Sequence, residues 1–291
     1  MNTAHANKQK DIFVKVPLEK VQAFWNARPC NIRHSQQPIG TKQYFEEVEQ
    51  RKFFVEPHLV EFANFPSVKG KRILEIGCGM GTTSVNFARA GAKQVTAVDL
   101  SEKSLSLAKQ RAEVYGLTNI EFYHANAEEL STVVPLQEYD LIFSFGVIHH
   151  TTHPEKVLTQ LQRYLAPQGQ LKLMVYYRYS WKALWILFKY GKCQFWKLSE
   201  LVAKYSEAET GCPITYTYDK KEVDHLLNNH GFTPVTMQVE HIFPYHIPDY
   251  VQYRYVKVWY FRWMPKKLFR LLEKIMGWHL CITAKKAQCS N

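Results

Sequence analysis

The sequence predicts an α/β fold built on a parallel sheet, and three neighbouring segments carry this prediction. Residues 73–76 form an apolar run typical of a strand that is covered on both faces, and Gly77 ends it. Residues 82–90 have the apolar spacing of a helix, and residues 95–98 have the composition of a second buried strand. A strand, a glycine-rich turn, a helix and a strand in this order indicate a nucleoside-binding βαβ unit.

The glycine-rich turn reads E-x-G-x-G-x-G from Glu75 to Gly81, and its spacing discriminates between cofactors. The dinucleotide-binding pattern G-x-G-x-x-G would require glycine at the position of Thr82. An acid in front of the first glycine favours a cofactor with an ammonium group, because a pyrophosphate would be repelled there. Asp99 ends the next strand, about 20 residues beyond the turn, and can accept hydrogen bonds from both hydroxyls of a ribose.

At these residues the sequence resembles the class I S-adenosylmethionine-dependent methyltransferases, whose first motif is E/D-x-G-x-G-x-G. The resemblance is good over about residues 70–180, and the flanking segments FWNARPCNIRHS and FPYHIPDYVQYRY resemble an uncharacterised group of bacterial methyltransferases. It implies a Rossmann-like sheet of seven mostly parallel strands, the last of them antiparallel, with S-adenosylmethionine as the cofactor. The cofactor-binding residues that it implies are Glu75, Gly77, Cys78, Gly79, Gly81, Thr82, Asp99, Leu100, Asn126, Ala127, Ser144, Phe145 and Gly146.

The next two strands extend the resemblance. Ser101 can cap the helix after the second strand, and residues 120–123 have the composition of the third strand. The segment after them resembles the family's adenine-edge segment, usually G-D-A, although Asn126 stands where an aspartate is usual. Its amide oxygen can still accept a hydrogen bond from an adenine amino group. Residues 139–144 form the fourth strand, and residues 145–150 resemble the fourth motif of small-molecule enzymes of the ubiquinone-methyltransferase type.

Two histidines at the end of this motif, His149 and His150, allow two interpretations. In the functional interpretation one neutral imidazole is a general base toward a hydroxyl or ammonium substrate, and the resemblance favours His150. In the structural interpretation both histidines support the helix that begins near Pro154. The sequence leaves both interpretations open.

The remaining elements complete the predicted core. Residues 155–165 have helical spacing, and residues 171–176 form the fifth strand. A helix over residues 219–230 precedes the sixth strand at 232–241, and residues 279–284 form the seventh. We divide the chain into an N-terminal helical lid or extension (1–65), a cofactor-binding core (66–180), a helical insertion (181–218) and the remainder of the core (219–291), which contains an aromatic, basic insertion at 243–278.

Polar and aromatic residues are dense in the N-terminal segment, which we interpret as a lid over cofactor and substrate, with a simple packing extension as the alternative. Arginines in this segment, after the fifth strand and in the C-terminal insertion are candidates to pair with a carboxylate or phosphate of the acceptor. The predicted substrate-binding residues are Trp25, Asn26, Arg28, Arg33, His34, Tyr177, Arg178 and Arg254.

Positive charge is concentrated near the C-terminus. The formal net charge is +11, and residues 245–286 hold nine Lys and Arg against two acids, which gives +7. This basic face is expected to attract an anionic substrate, a membrane surface or nucleic acid, or to be solvated without a partner. Residues 265–276 have amphipathic helical spacing, which allows core packing, a lipid-interface helix or a homodimer contact.

Other features restrict the function. Six cysteines without a C-x-x-C pair indicate reduced thiols, so we expect no metal. The N-terminal residues lack an apolar signal core, which predicts a cytoplasmic protein. The N/D-P-P-Y/F motif of base-methylating enzymes is missing after the fourth strand, so nucleic acid is not an expected partner.

These observations predict a methyltransferase that acts on oxygen or nitrogen of a small, anionic metabolite. The alternative is a membrane-associated quinone or lipid methyltransferase that contacts the bilayer through residues 243–278. An RNA-modifying enzyme and a non-catalytic cofactor-binding module are the remaining candidates.

Overall fold

A seven-stranded sheet forms the centre of the computed structural model, which describes residue 9 and residues 11–192, 194–206 and 212–287. The strands occur in the order β3-β2-β1-β4-β5-β7-β6, and β7 is antiparallel to both of its neighbours. This arrangement confirms the predicted Rossmann-like sheet with an antiparallel last strand. The strands are β1 (Arg72–Ile76), β2 (Gln94–Asp99), β3 (Ile120–His124), β4 (Tyr139–Phe145), β5 (Leu165–Tyr176), β6 (Phe232–Glu240) and β7 (His279–Lys286).

Helices cover the sheet and also fill the two insertions. Among the α-helices whose bounds lie within the described residues, three precede the sheet, four connect its strands, two form the insertion after β5, and three form the insertion between β6 and β7. They are α1 (Leu18–Ala27), α2 (Lys42–Val55), α3 (Pro57–Ala63), α4 (Thr82–Arg89), α5 (Glu102–Val114), α6 (Pro154–Tyr164), α7 (Trp181–Gly191), α8 (Leu198–Tyr205), α9 (Lys220–Asn228), α10 (Ile247–Val251), α11 (Trp259–Arg262) and α12 (Lys266–Met276).

The central strands are apolar because both faces of the sheet are covered. Ile73 and Leu74 of β1 and Ile142 and Phe143 of β4 are fully buried, and the two residues of each pair belong to core clusters on opposite faces. The fifth strand is longer than predicted, because it begins at Leu165. A register shift in its pairing with β4 accommodates Pro167 and Gly169, two residues that are unusual inside a strand.

The N-terminal helices are packed onto the cofactor end of the sheet. Three side chains of α2 are fully buried beside Met80 of the glycine-rich turn. The buried guanidinium of Arg111 joins α5 to α2 through Glu49 at 2.5 Å and to α4 through the Thr82 hydroxyl at 2.7 Å. An ion pair removed from water needs such additional hydrogen bonds to offset its desolvation. Residues 1–8 and 10 of the predicted N-terminal lid or extension lie outside the described part of the chain.

The amphipathic helix α12 leaves half of its apolar face exposed, while Phe269, Leu272 and Met276 are half-buried. Leu268, Leu271 and Ile275 are 51%, 55% and 57% exposed, whereas Glu273 is the buried residue of this helix. Arg270 donates a hydrogen bond to Glu273 at 2.9 Å. The core-packing interpretation of this helix is therefore wrong for Leu268, Leu271 and Ile275. Within the described ranges, no helix has both the length and the apolar character needed to cross a bilayer.

Candidate active site

The glycine-rich turn adopts a backbone conformation that other residues rarely take. Gly77, Gly79 and Gly81 have φ values of 74°, 54° and 71°, in the left-handed region. A Cβ atom on Gly77 would lie 2.1 Å from Val147 Cγ2, so the chain beyond β4 requires glycine there. A Cβ on Gly79 would meet no protein atom within 4 Å, and Gly79 borders a cavity. Gly77 thus lets the turn pack against Val147, and Gly79 leaves space for a ligand at the edge of the cavity.

Glu75 places a carboxyl group beneath this turn. Its side chain is 3% exposed, and the Ser84 hydroxyl donates a short hydrogen bond to it. Burial raises the pKa of Glu75 to about 7, while the Ser84 hydrogen bond and the charge of Lys52 act in the opposite direction. A positively charged ligand group next to this carboxyl would favour its ionised form.

Asp99 is held in place by the backbone on both sides. Its Oδ2 accepts the Gly79 N–H at 2.7 Å, and its Oδ1 accepts the Ser101 N–H at 2.8 Å. Burial raises the pKa of Asp99, and the backbone hydrogen bonds act in the opposite direction. A carboxylate has about four lone-pair positions, so two remain for ribose hydroxyls.

A cavity of about 260 Å³ lies at the carboxyl ends of β1, β2 and β4. Two predicted cofactor residues are not among the residues that line it. Ser144 is 1% exposed, and Gly81 packs toward Ala108, where a Cβ would lie 3.0 Å from the alanine Cβ. The predicted residues that line it are Glu75, Gly77, Cys78, Gly79, Thr82, Asp99, Leu100, Asn126, Ala127, Phe145 and Gly146.

Asn126 lines the cavity with its side chain already in a hydrogen bond. Its Oδ1 accepts the Glu128 N–H at 3.0 Å, which caps the short helical turn after β3. This contact fixes the orientation of the amide. A hydrogen bond from an adenine amino group to the same oxygen stays a prediction.

The structure separates the two candidate bases. His150 lines the cavity, its Nδ1 lies 2.6 Å from the Ile214 carbonyl oxygen, and its ring lies 5.2 Å from that of Trp25. Because a carbonyl only accepts, Nδ1 carries a proton, and in the neutral imidazole Nε2 is then the nitrogen without one. His149 is fully buried beside Tyr176, it does not line the cavity, and burial lowers its pKa well below the ordinary value.

A second cavity, of about 730 Å³, continues from the first. Five residues line both cavities, namely Asn31, Lys52, Glu56, Tyr176 and His279. Aromatic side chains from the two insertions form much of its wall. They are Trp181, Trp185, Phe243, Tyr245, Tyr250, Tyr260 and Phe261.

Lysines, and not the predicted arginines, give this second cavity its positive charge. Lys52, Lys182 and Lys189 line it together with one carboxylate, Glu56. The ammonium groups of Lys182 and Lys189 lie 4.7 Å and 4.3 Å from the ring centres of Trp278 and Trp185. No local sequence pattern indicates these lysines, because they belong to helices whose position over the sheet is decided by tertiary packing.

Two of the predicted substrate residues lie on the cavities. Trp25 lines the first, and His34 lines the second with its Nε2 3.1 Å from the Tyr250 hydroxyl. Burial, with Arg51 and Lys52 nearby, lowers the pKa of His34 to about 3. His34 is therefore a neutral polar group of the wall.

The other predicted substrate residues do not line either cavity, because they have structural contacts elsewhere. Arg178 is buried in ion pairs with Glu222 at 2.5 Å and Asp219 at 3.4 Å. Arg254 pairs with Asp249 at 2.6 Å. The remaining ones are Asn26, which accepts the Ser101 hydroxyl; Tyr177, which packs on Tyr179; and the exposed Arg28 and Arg33.

The chain and its fold resemble those of known proteins. A family model described as a methyltransferase domain matches residues 67–231, more than half of the chain. The chain belongs to the methyltransferase domain family. This result confirms the predicted family.

Curated relatives match only part of this chain. Ubiquinone biosynthesis O-methyltransferase from Dechloromonas aromatica (strain RCB) is 36% identical over 107 residues, which is 37% of this chain and 45% of the relative. The enzyme of the same name from Bordetella bronchiseptica is 37% identical over 103 residues, 35% of this chain and 42% of the relative. The matches thus span less than half the length of these relatives.

Solved structures resemble the methyltransferase domain in fold. Magnesium protoporphyrin IX methyltransferase from Synechocystis PCC 6803 with bound SAH has a TM-score of 0.57 at 16% identity and covers 92% of this chain and 98% of its own. A putative methyltransferase of Haloferax volcanii, in complex with the Trm112 methyltransferase activator, has a TM-score of 0.59 at 13% identity. The match covers 93% of this chain and 99% of that protein. Identities this low establish the fold alone.

We expect Gly79→Ala to lose affinity for S-adenosylhomocysteine by about tenfold or more, because its Cβ enters the open rim of the cavity. Gly70→Ala is the matched control, since Gly70 also has positive φ (76°) and open space around it but does not line the cavity. Both changes should cost about 1–2 kcal/mol in free energy of unfolding. Calorimetric titration and chemical denaturation measure the two quantities. Equal binding by both variants would contradict the assignment of the turn.

We expect the affinity for S-adenosylhomocysteine to rise with pH through about 7, because ionised Glu75 binds the ligand ammonium and burial raises the pKa of Glu75 to about 7. In Glu75→Gln the affinity at pH 8 should fall roughly 10- to 100-fold, and the rise near pH 7 should disappear. Calorimetric titration from pH 5.5 to 8.5 tests this. A wild-type curve without a step near neutrality would show that Glu75 does not contact the ligand cation.

Proposed function

We propose that this protein transfers the methyl group of S-adenosylmethionine to an oxygen or nitrogen of a small, flat, anionic acceptor. One observation carries the proposal. The cavity that holds the glycine-rich turn, Glu75 and Asp99 opens into a second cavity with aromatic walls and three lysines. Direct group transfer requires that the cofactor site and the acceptor site meet.

The lining of the first cavity fits S-adenosylmethionine. Buried Glu75 suits the ammonium group, oriented Asp99 suits the ribose hydroxyls, and the resemblance of the chain assigns Asn126 and Ala127 to the adenine. When bound, the cofactor supplies a methyl carbon attached to positively charged sulfur. The leaving group is neutral, so the main task of the protein is to hold acceptor atom, methyl carbon and sulfur in line. Positioning of this kind contributes roughly 7–11 kcal/mol.

His150 is the candidate general base for an acceptor that carries a proton. His150 would accept the proton of the acceptor hydroxyl or ammonium at Nε2. The acceptor lone pair would then be free to bond to the methyl carbon that the bound cofactor would supply, with the carbon–sulfur electron pair leaving on sulfur. The hydrogen bond from Nδ1 to the Ile214 carbonyl oxygen favours the neutral tautomer in which Nε2 carries no proton. Such a base contributes roughly 10²- to 10⁴-fold in rate.

The second cavity supports the class of acceptor. Aromatic side chains pack well against a flat ring, and Lys182 and Lys189 attract a carboxylate on that ring. The names of the curated relatives, ubiquinone biosynthesis O-methyltransferases, favour oxygen as the methylated atom.

We expect the protein to transfer labelled methyl from S-adenosylmethionine to protocatechuate, a catechol with a carboxylate, with kcat/KM roughly tenfold or more above that for catechol. Lys189→Gln should raise KM for protocatechuate and leave that for catechol unchanged. His150→Gln should lower kcat roughly 10²-fold or more. Product formation is followed by liquid chromatography of the labelled ethers.

An aliphatic hydroxy acid, lactate, is the matched control for the aromatic wall and should not be methylated. Binding of S-adenosylhomocysteine without transfer to any ring acceptor would reject the proposed acceptor class. An equal effect of Lys189→Gln on protocatechuate and catechol would reject the role of the lysine.

A second candidate, a membrane-associated quinone or lipid methyltransferase, is favoured by the exposed surface of residues 243–278. Trp259 and Trp263 are 77% and 81% exposed, next to the exposed apolar residues of α12. Basic residues surround this surface, and they suit anionic lipid headgroups. They are Lys257, Arg262, Lys266, Lys267, Arg270 and Lys274.

We expect the protein to float with anionic liposomes at low salt and to be released at high salt, because both charge and apolar area contribute to binding. Replacing Trp259 and Trp263 together by Ser should weaken binding by about tenfold or more. Trp196→Ser is the matched control, since Trp196 is 64% exposed outside this surface. Absence of salt-sensitive flotation would reject the membrane candidate, and sedimentation would then test the homodimer contact.

A further inference from the structure

Three potential metal ligands meet where the two cavities join. One ligand atom from each of Glu56, His241 and His279 lies within 4.8 Å of the others. Glu56 directly precedes α3, His241 follows the end of β6, and His279 begins β7. The register of the antiparallel pair places Glu240 opposite His279, which brings the two histidines to the same end of the sheet.

A third histidine orients one of these ligands. His58 Nε2 lies 2.9 Å from His279 Nδ1, and the rings of His58 and His241 stack at 5.2 Å. One histidine must donate this hydrogen bond and the other must accept it. If His279 donates, its Nε2 is unprotonated and can bind a metal. Metal-ligating histidines usually donate the proton of their other nitrogen to such a partner.

The two ligand imidazoles are buried. His241 and His279 are 8% and 4% exposed. The neutral form of histidine is the one that binds metal ions.

The backbone of His241 supports a specific role for this residue. Its φ is 72°, a left-handed conformation that costs a non-glycine residue about 1–2 kcal/mol. Its carbonyl accepts the Trp278 N–H at 2.7 Å, which holds it in this conformation. Strain of this kind is concentrated at functional sites.

We propose that Glu56, His241 and His279 bind one divalent transition-metal ion. Two imidazoles and a carboxylate match the two-histidine, one-carboxylate set that leaves other coordination positions open. Imidazole ligands favour Zn²⁺, Fe²⁺ or Ni²⁺ over Ca²⁺ and Mg²⁺, which prefer oxygen. Bonds of about 2.1 Å at angles of about 90–110° place ligand atoms roughly 3.0–3.4 Å apart. Side-chain rotations that draw the three ligand atoms together from their separations of up to 4.8 Å would close the site.

The position of this site suggests its use, which rests on the proposed function. Glu56 and His279 line both cavities, and His241 lines the second, so the open positions face the acceptor end. A metal ion there binds an acceptor hydroxyl and lowers its pKa, so that the proton is lost more readily to His150 or water. Metal binding itself does not depend on methyl transfer.

Calorimetric titration of chelator-stripped protein with Zn²⁺ tests the site, and Co²⁺ serves as a probe because its absorption spectrum reports nitrogen and oxygen ligands. We expect one ion per chain. His241→Asn, which tolerates left-handed φ, and Glu56→Gln should each weaken binding 100-fold or more. His58→Ala should weaken it 10- to 100-fold by removing the partner of His279. His225→Ala, a change at an exposed histidine of α9, is the matched control and should bind like wild type.

Titration with S-adenosylhomocysteine shows whether each variant is folded and separates this proposal from the proposed function. Zn²⁺ binding that is lost in His241→Asn while S-adenosylhomocysteine still binds supports the metal site, whether or not any acceptor is methylated. No Zn²⁺ or Co²⁺ binding by wild type, or equal binding by wild type and His241→Asn, would overturn it.

Discussion

The burial of one carboxyl group beneath a glycine-rich turn is the constraint on which the site depends. Glu75 is at the end of a strand that is covered on both faces, so its charge is poorly hydrated and its pKa is raised to about 7. A buried carboxyl destabilises the folded protein as it ionises, unless a cation approaches it. Gly77 and Gly79 line the cavity and let a ligand come that close.

The same sheet edge serves both halves of the reaction. The carboxyl ends of β1 and β2 carry the cofactor features, and β4 leads to His150. The antiparallel pair β6 and β7 then adds His241 and His279, because the end of β6 and the start of β7 meet at this edge. Tyr176 at the end of β5 is one of the five residues that line both cavities, so the two cavities are neighbours at this edge of the sheet.

The insertions convert a common core into a particular site. The helices after β5 and the segment between β6 and β7 contribute the aromatic wall and two of the three lysines. The latter segment also exposes Trp259 and Trp263 beside basic residues. Residues 243–278 thus contribute both to the wall of the second cavity and to the exposed surface, which links the two candidate functions physically.

The sequence by itself determined the βαβ unit and the order of the strands, and it predicted most of the residues near the turn that line the first cavity. It could do so because burial pattern, glycine spacing and the acid at each strand end are local in the chain. Tertiary structure alone decided which charged groups face the acceptor. Arg178 resembled a substrate ligand in sequence, yet its charge is neutralised by Glu222 and Asp219, more than forty residues away. Glu56, His241 and His279 come together only because β6 and β7 pair across an insertion, and such long-range pairing leaves no local pattern to predict it.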